Sequence, residues 1–175
     1  TVTPKLLHVA VEGLNLSAAK IALLKQDLSW DTSRHQDDRT PLVKAVLGLI
    51  YPYGGGDIAA DGPRGRSLLR ESTEDASTAP ALGYYSLALC HRAEKDYAAM
   101  LSAYAEAGKR GSMLAKYSLG RYHLKAPDDE KQHHDAAESY FFDALALGHP
   151  KARKHFEKVY AEDSAGFSSL LSIIE

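Results

Sequence analysis

Histidine is the first residue type here whose placement could do chemistry: there are eight in 175 residues. His133-His134-Asp135 opens a predicted helix close to Asp128 and Asp129. Imidazole and carboxylate together are the ligands of zinc and of non-haem iron sites. Adjacent histidines on a helix, however, point about 100° apart. No H-x-x-x-H pair brings two onto one face, and no nearby cysteine adds a soft ligand. The stretch reads as a solvated first helical turn, with no metal expected. His91 and His123 fall near the ends of two predicted helices, where an imidazole can serve terminal carbonyls.

Other candidates fail for want of partners. Gly54-Gly55-Gly56 could cradle a phosphate, but no strand precedes it and no Lys-Ser/Thr pair or third spaced glycine follows. It reads as an inter-helix loop. Glu71, Glu74 and Asp75 make a wet acidic surface. The single Cys90 excludes an internal disulfide framework and lies beside Leu87 on an apolar helical face, as core filler. No G-x-S-x-G, paired-carboxylate or dinucleotide fingerprint occurs, so no catalytic residue and no cofactor is assigned.

Tyrosine is the more informative type: ten, against four Phe and one Trp. Tyr85 and Tyr117 share one frame position and belong to a core. Tyr84, Lys116, Arg121 and Tyr122 are the candidate partner-binding residues, because amphipathic rings and cations on a helical surface are what protein recognition uses.

Helices must position these groups. The expected segments are 4–13, 15–30, 40–51, 64–73, 80–92, 95–108, 111–124, 133–147 and 150–161, with a terminal helix in GFSSLLSIIE. Asn15 or Ser17 caps the second, and Thr40-Pro41 opens the third. Trp30 closes the second helix against its neighbour, Asp31 to Thr40 form a polar loop, and Pro52 ends the third helix at Tyr51. Residues 125–132 are a solvated connector.

Small residues recur along these helices. Met100, Ala103, Ala107, Gly111 and Ala115 follow one another at three or four positions, and Ala137, Tyr140, Ala144, Gly148, Ala152, Phe156 and Tyr160 repeat the intervals. The pairs Leu47-Gly48, Leu87-Ala88, Leu119-Gly120 and Phe156-Glu157 stand 40, 32 and 37 residues apart. Such a period predicts an all-α solenoid, an α/α superhelical stack of antiparallel helix pairs in one domain. Small residues let helices approach where they cross, so Ala107, Ala115, Ala144 and Ala152 are predicted to be structural.

LGLIYPYGGGDIAADG (47–62) carries the L-G-x-x-Y-x-x-G-x-G end of a repeat frame, and MLAKYSLGRYH (113–123) carries its A-x-x-x-L-G part with a His after the Tyr. AAESYFFDALALGHPKARKHFEKVY (136–160) matches it most fully, including Gly148-His149. In this the chain resembles the Sel-one-like repeats, relatives of tetratricopeptide repeats. The resemblance covers about residues 40–161. It departs where Tyr140 and Ala103 replace the usual Trp and where the connector at 91–96 lacks glycines. Residues 1–39 are a divergent N-terminal helical pair, and 162–175 a capping helix over the end of the stack. The resemblance implies an adaptor that holds a protein partner on its concave helical surface, without catalysis. A sharper form is an immunity or adaptor protein for a secreted bacterial effector or toxin. The alternatives are a periplasmic regulator of a signalling receptor and a histidine-dependent metal protein or enzyme.

Net charge is -2, which suggests no nucleic-acid footprint. No apolar run approaches the roughly 20 residues of a membrane span. The expectation is a soluble protein, cytoplasmic or periplasmic. No signal-peptide pattern is visible, and a first residue other than Met fits a processed N-terminus.

Overall fold

The computed structural model describes residues 3–14, 16–36, 38–54, 59–125, 130–159 and 163–174. Among the described residues the chain is all-α. Its helices are α1 (Pro4–Glu12), α2 (Ala18–Arg34), α3 (Thr40–Tyr53), α4 (Gly62–Ser72), α5 (Ala81–Glu94), α6 (Tyr97–Lys109), α7 (Met113–Leu124), α8 (Glu130–Ala146), α9 (Pro150–Val159) and α10 (Ser164–Ile174). None of them is long and apolar enough to cross a membrane. The chain divides into two compact units, Thr1–Ala115 and Lys116–Glu175.

Most helix starts are written locally. The first amides of a helix have no partner within it and take a side-chain oxygen instead. Thr3 Oγ1 accepts from the Leu6 amide at 3.4 Å, Ser17 Oγ from Lys20 at 3.3 Å, Asp61 Oδ1 from Arg64 at 3.0 Å and Asp96 Oδ1 from Ala99 at 3.1 Å. Ser17 is thus the cap of α2; the other candidate, Asn15, lies outside the described residues, as do Gly55, Gly56, Asp128, Asp129 and Tyr160.

In the first unit α5 is central and packs against α2, α3, α4 and α6, while α1 packs on α2 and α3. The core includes Leu24, Leu28, Leu42, Val46, Leu69, Leu82, Tyr85, Ala88, Met100 and Tyr104, all buried. Tyr85 and Tyr104 meet with ring centroids 5.9 Å apart. In the second unit α8 packs against α9. Ala137, Phe141, Ala144, Leu145, Ala152 and Phe156 form its core, and α10 lays Phe167, Leu170 and Ile174 against it.

The expected small-residue positions are buried: Ala107, Ala115, Ala144 and Ala152 are each 0% exposed. The resemblance between residues 97–119 and 134–156 extends to the backbone. Gly111 and Gly148, 37 positions apart, both hold positive φ, at 94° and 89°. The amide that follows each donates to the carbonyl five residues back, Ser112 to Ala107 at 3.0 Å and His149 to Ala144 at 2.9 Å. That closure of a helix end needs a left-handed residue, which glycine supplies without strain.

Three boundaries differ from expectation. α8 begins at Glu130, three residues ahead of the expected 133 and inside the stretch 125–132 expected to be a connector. The loop predicted to begin at Asp31 begins at His35 instead, because α2 continues to Arg34 with Asp31 and Thr32 buried. Their polarity mimics a loop, yet their side chains are hydrogen-bonded inside the fold. Pro52 does not end α3 at Tyr51. It sits in the last turn, where its missing amide removes a single bond, and the Gly54 amide donates to the Ile50 carbonyl at 2.8 Å beyond it.

Candidate functional site

Helix α2 carries three residues in sequence that organise the first unit. Asp31 is 1% exposed. Its Oδ1 accepts from the Ala81 amide at 3.0 Å and its Oδ2 from Leu82 at 2.9 Å. These are the first amides of α5, whose own cap position is Pro80 and supplies no side-chain oxygen. Asp27, one turn earlier and 3% exposed, does the same for α7: its Oδ1 accepts from the Met113 amide at 3.1 Å and its Oδ2 from the Ser112 hydroxyl at 2.5 Å. Ser112 Oγ in turn accepts from the Ala115 amide at 3.0 Å. The positive end of a helix dipole favours a carboxylate at such a place. Burial works the other way and wins: it pushes Asp31 up to about 7 and Asp27 to about 6, against the hydrogen bonds that favour the ionised forms.

Trp30 lies between the two aspartates. Its Nε1 donates to the Arg110 carbonyl at 2.8 Å, and the Arg34 guanidinium lies 3.6 Å from its ring centroid. Trp30 therefore does meet a neighbour, but α2 runs on past it.

Beyond this clamp opens a cleft of about 630 Å³, between the end of α2, the 76–79 turn and the end of α6. Arg34, His35 and Asp38 line one side, Ser77 and Thr78 another, Lys109 and Arg110 the third. Arg110 is fixed from several directions. It donates to the Ala76 carbonyl at 3.0 Å and to Glu106 Oε2 at 2.6 Å, and its guanidinium lies 4.4 Å from the centroid of the Tyr84 ring. Lys109 pairs with the same Glu106 at 2.7 Å. Burial and the neighbouring Arg34 hold His35 below the usual imidazole range, so it is neutral at pH 7. The hydroxyls of Ser77 and Thr78 donate to Asp75, at 2.6 Å and 3.4 Å. The cleft thus offers guanidinium groups, hydroxyls and the His35 imidazole.

The predicted partner-binding residues fall in both units. Tyr84, in the first, is half-buried beneath Arg110. In the second unit Lys116 pairs with Asp143 at 2.6 Å and lies 5.8 Å from the Tyr140 ring centroid. Arg121 is exposed, and the half-buried Tyr122 meets His123 edge-on.

The histidines divide by role. His149 is 1% exposed, accepts at Nδ1 from the Lys151 amide at 3.2 Å and stacks on Tyr117 at 4.1 Å. His123 and His133 approach Nδ1 to Nδ1 at 3.0 Å, and His123 also stacks on Tyr140. His91 does not serve a carbonyl through its buried Nδ1, which makes no hydrogen bond and lies 3.7 Å from Glu94 Oε2. Among the described residues no group of three or more His, Cys, Asp or Glu side chains is placed to hold a metal. The acidic cluster is a wet surface with local partners: Glu71 pairs with Lys44 at 2.9 Å and Asp75 binds Ser77.

No protein-family model, curated protein or solved structure matches the chain.

Asp27, Arg34 and Arg110 did not stand out in the sequence, whereas Trp30 did, as the residue expected to meet a neighbour. The signal for Asp31 was indirect: a helix at 81 preceded by Pro80 has no cap of its own and must borrow one.

Proposed function

We propose that the chain is a non-catalytic protein-interaction module. Its partner is held by Tyr84 and the cleft beside it in the first unit. In the second, Lys116, Arg121 and Tyr122 offer a helical contact surface. The observation that carries this reading is the Tyr84–Arg110 pair. An aromatic ring left half-exposed beneath a guanidinium that is itself pinned to a carbonyl and a carboxylate is ordered before any partner arrives. Rigid Tyr and Arg anchors of this kind carry much of the energy of protein interfaces.

The helix-pair repeat belongs to the same proposal. The buried alanines and the two matching glycine turns 37 positions apart support a tetratricopeptide-like frame of the Sel-one-like kind. An effector or toxin of bacterial origin is the partner that this resemblance adds.

The test is quantitative affinity capture from the source cell, with the wild type beside Tyr84→Ala and Tyr122→Ala. A specific protein retained by the wild type and depleted at least tenfold by Tyr84→Ala, with the melting temperature unchanged, supports the reading. A protein retained equally by all three argues against it.

A second reading, a histidine-held metal, has one observation in its favour, the 3.0 Å approach of His123 to His133. Elemental analysis separates the two: stoichiometric zinc, lost in His133→Ala, would favour the metal.

A further inference from the structure

A second cavity lies within the first unit, between α3, α4 and α5, with a volume of about 220 Å³. Gly48, Leu49, Pro52, Leu69 and Leu89 supply most of its wall, and among the described residues no charged side chain lines it. It is closed in depth by Leu69, 1% exposed, which presses so near α3 that a methyl at Gly48 would stand 2.6 Å from Leu69 Cγ. Ala93 is exposed and marks the mouth.

Two side chains one turn apart on α5 break the apolar lining. Ser86 is 2% exposed, and among the described residues its Oγ makes no hydrogen bond. A helical serine ordinarily gives its hydroxyl to the carbonyl three or four residues back, and a buried hydroxyl left unpaired opposes folding. Cys90 stands one turn further out, half-buried. Burial pushes its thiol above the ordinary range, so it remains protonated and serves as an apolar wall rather than a nucleophile.

We propose that this cavity is a binding site for a small neutral amphiphile, a short alkyl or aryl chain bearing a single hydroxyl or carbonyl. The chain lies between Gly48, Leu69 and Leu89, and the polar atom pairs with Ser86 Oγ. Size sets the class: an apolar cavity of about 150 Å³ holds benzene, so this one takes roughly six to nine non-hydrogen atoms. The absence of charge in the lining selects a neutral ligand, since a buried ion would lack a partner. The unpaired hydroxyl selects a single hydrogen-bonding group. This inference does not depend on the protein-interaction reading.

The test uses 1-hexanol and toluene as probes of the full chain. The readouts are the methyl signals of Leu49, Leu69 and Leu89 and the rate at which Cys90, the only thiol, reacts with an aromatic disulfide reagent. Both probes are expected to shift those methyls saturably and to slow the thiol several-fold. Ser86→Ala weakens 1-hexanol by about 2- to 10-fold, the worth of a single hydrogen bond, and leaves toluene within twofold. Ala93→Trp, at the mouth, weakens both at least tenfold. Shifts that fail to saturate, that saturate only at residues away from the cavity, or that respond equally to both probes in Ser86→Ala overturn the proposal.

Discussion

Asp27 and Asp31 stand one turn apart on α2, and each closes the N-terminus of a different helix: Asp27 that of α7, 86 residues downstream, and Asp31 that of α5, 50 residues downstream. The two recipient turns, Ala81-Leu82 and Met113-Leu114, are themselves 32 positions apart, the interval seen between Leu87-Ala88 and Leu119-Gly120. One helix therefore serves two successive helix starts with the same chemistry.

Removing either carboxylate strands buried amides. Asp31→Ala leaves the Ala81 and Leu82 donors without an acceptor and is expected to cost about 1–3 kcal/mol, the penalty of unpaired buried donors and a lost cap. Asp27→Ala should cost a similar amount. Urea unfolding followed by circular dichroism measures it, and an unchanged midpoint would mean that water replaces the carboxylate.

Stability should also respond to pH through these groups. Both carboxyls titrate higher in the fold than a carboxylate in the unfolded chain, near 3.8. Between about pH 4 and 7 the native state therefore binds more protons than the unfolded one, and stability falls as pH rises through that window. The contribution is full below the unfolded value and lost above the folded one. The slope is at most about 1.4 kcal/mol per pH unit for each proton. His8, His35 and His123 are held below the ordinary imidazole range and act in the opposite direction, so the comparison that isolates Asp31 is wild type against Asp31→Asn. The variant should lose part of the decline between about pH 4 and 7.

Trp30 reports on the same clamp, because it is the only tryptophan. A methyl at Gly111 would stand 2.0 Å from Trp30 Nε1, and the backbone there holds a φ of 94°. Gly111→Ala should destabilise by roughly 1–3 kcal/mol through strain alone and should shift the indole emission by displacing the ring from the Arg110 carbonyl. An unchanged spectrum would separate the ring from the turn.

In the second unit, Ala144 is 0% exposed within a core of Phe141, Leu145 and Phe156. Ala144→Leu is expected to cost about 1–3 kcal/mol by overpacking, and calorimetry should show a lower melting temperature. Ala107→Leu, its counterpart in the first unit, should behave alike. No change in either would remove these alanines from the list of close contacts.

Helix existence and most helix starts could be read because their signals are local. Thr3, Ser17, Asp61 and Asp96 are capping residues immediately before the helices they cap. The alanine stripe was legible for a related reason, since burial follows helical spacing. The end of α2 was not legible, because Asp31 and Thr32 look like loop residues until their distant partners are known. The cleft was missed likewise. Tyr84 stood out as a surface ring, but Arg110, itself held by Ala76 and Glu106, comes to lie on that ring only in three dimensions.

The aspartate clamp has a consequence for synthesis. A chain growing from its N-terminus completes α2 before either set of recipient amides exists: Asp31 waits for Ala81 and Leu82, and Asp27 waits longer, for Met113. Fragments ending before residue 112 therefore lack both the Ser112 hydroxyl and the Met113 amide that bind Asp27 in the full chain.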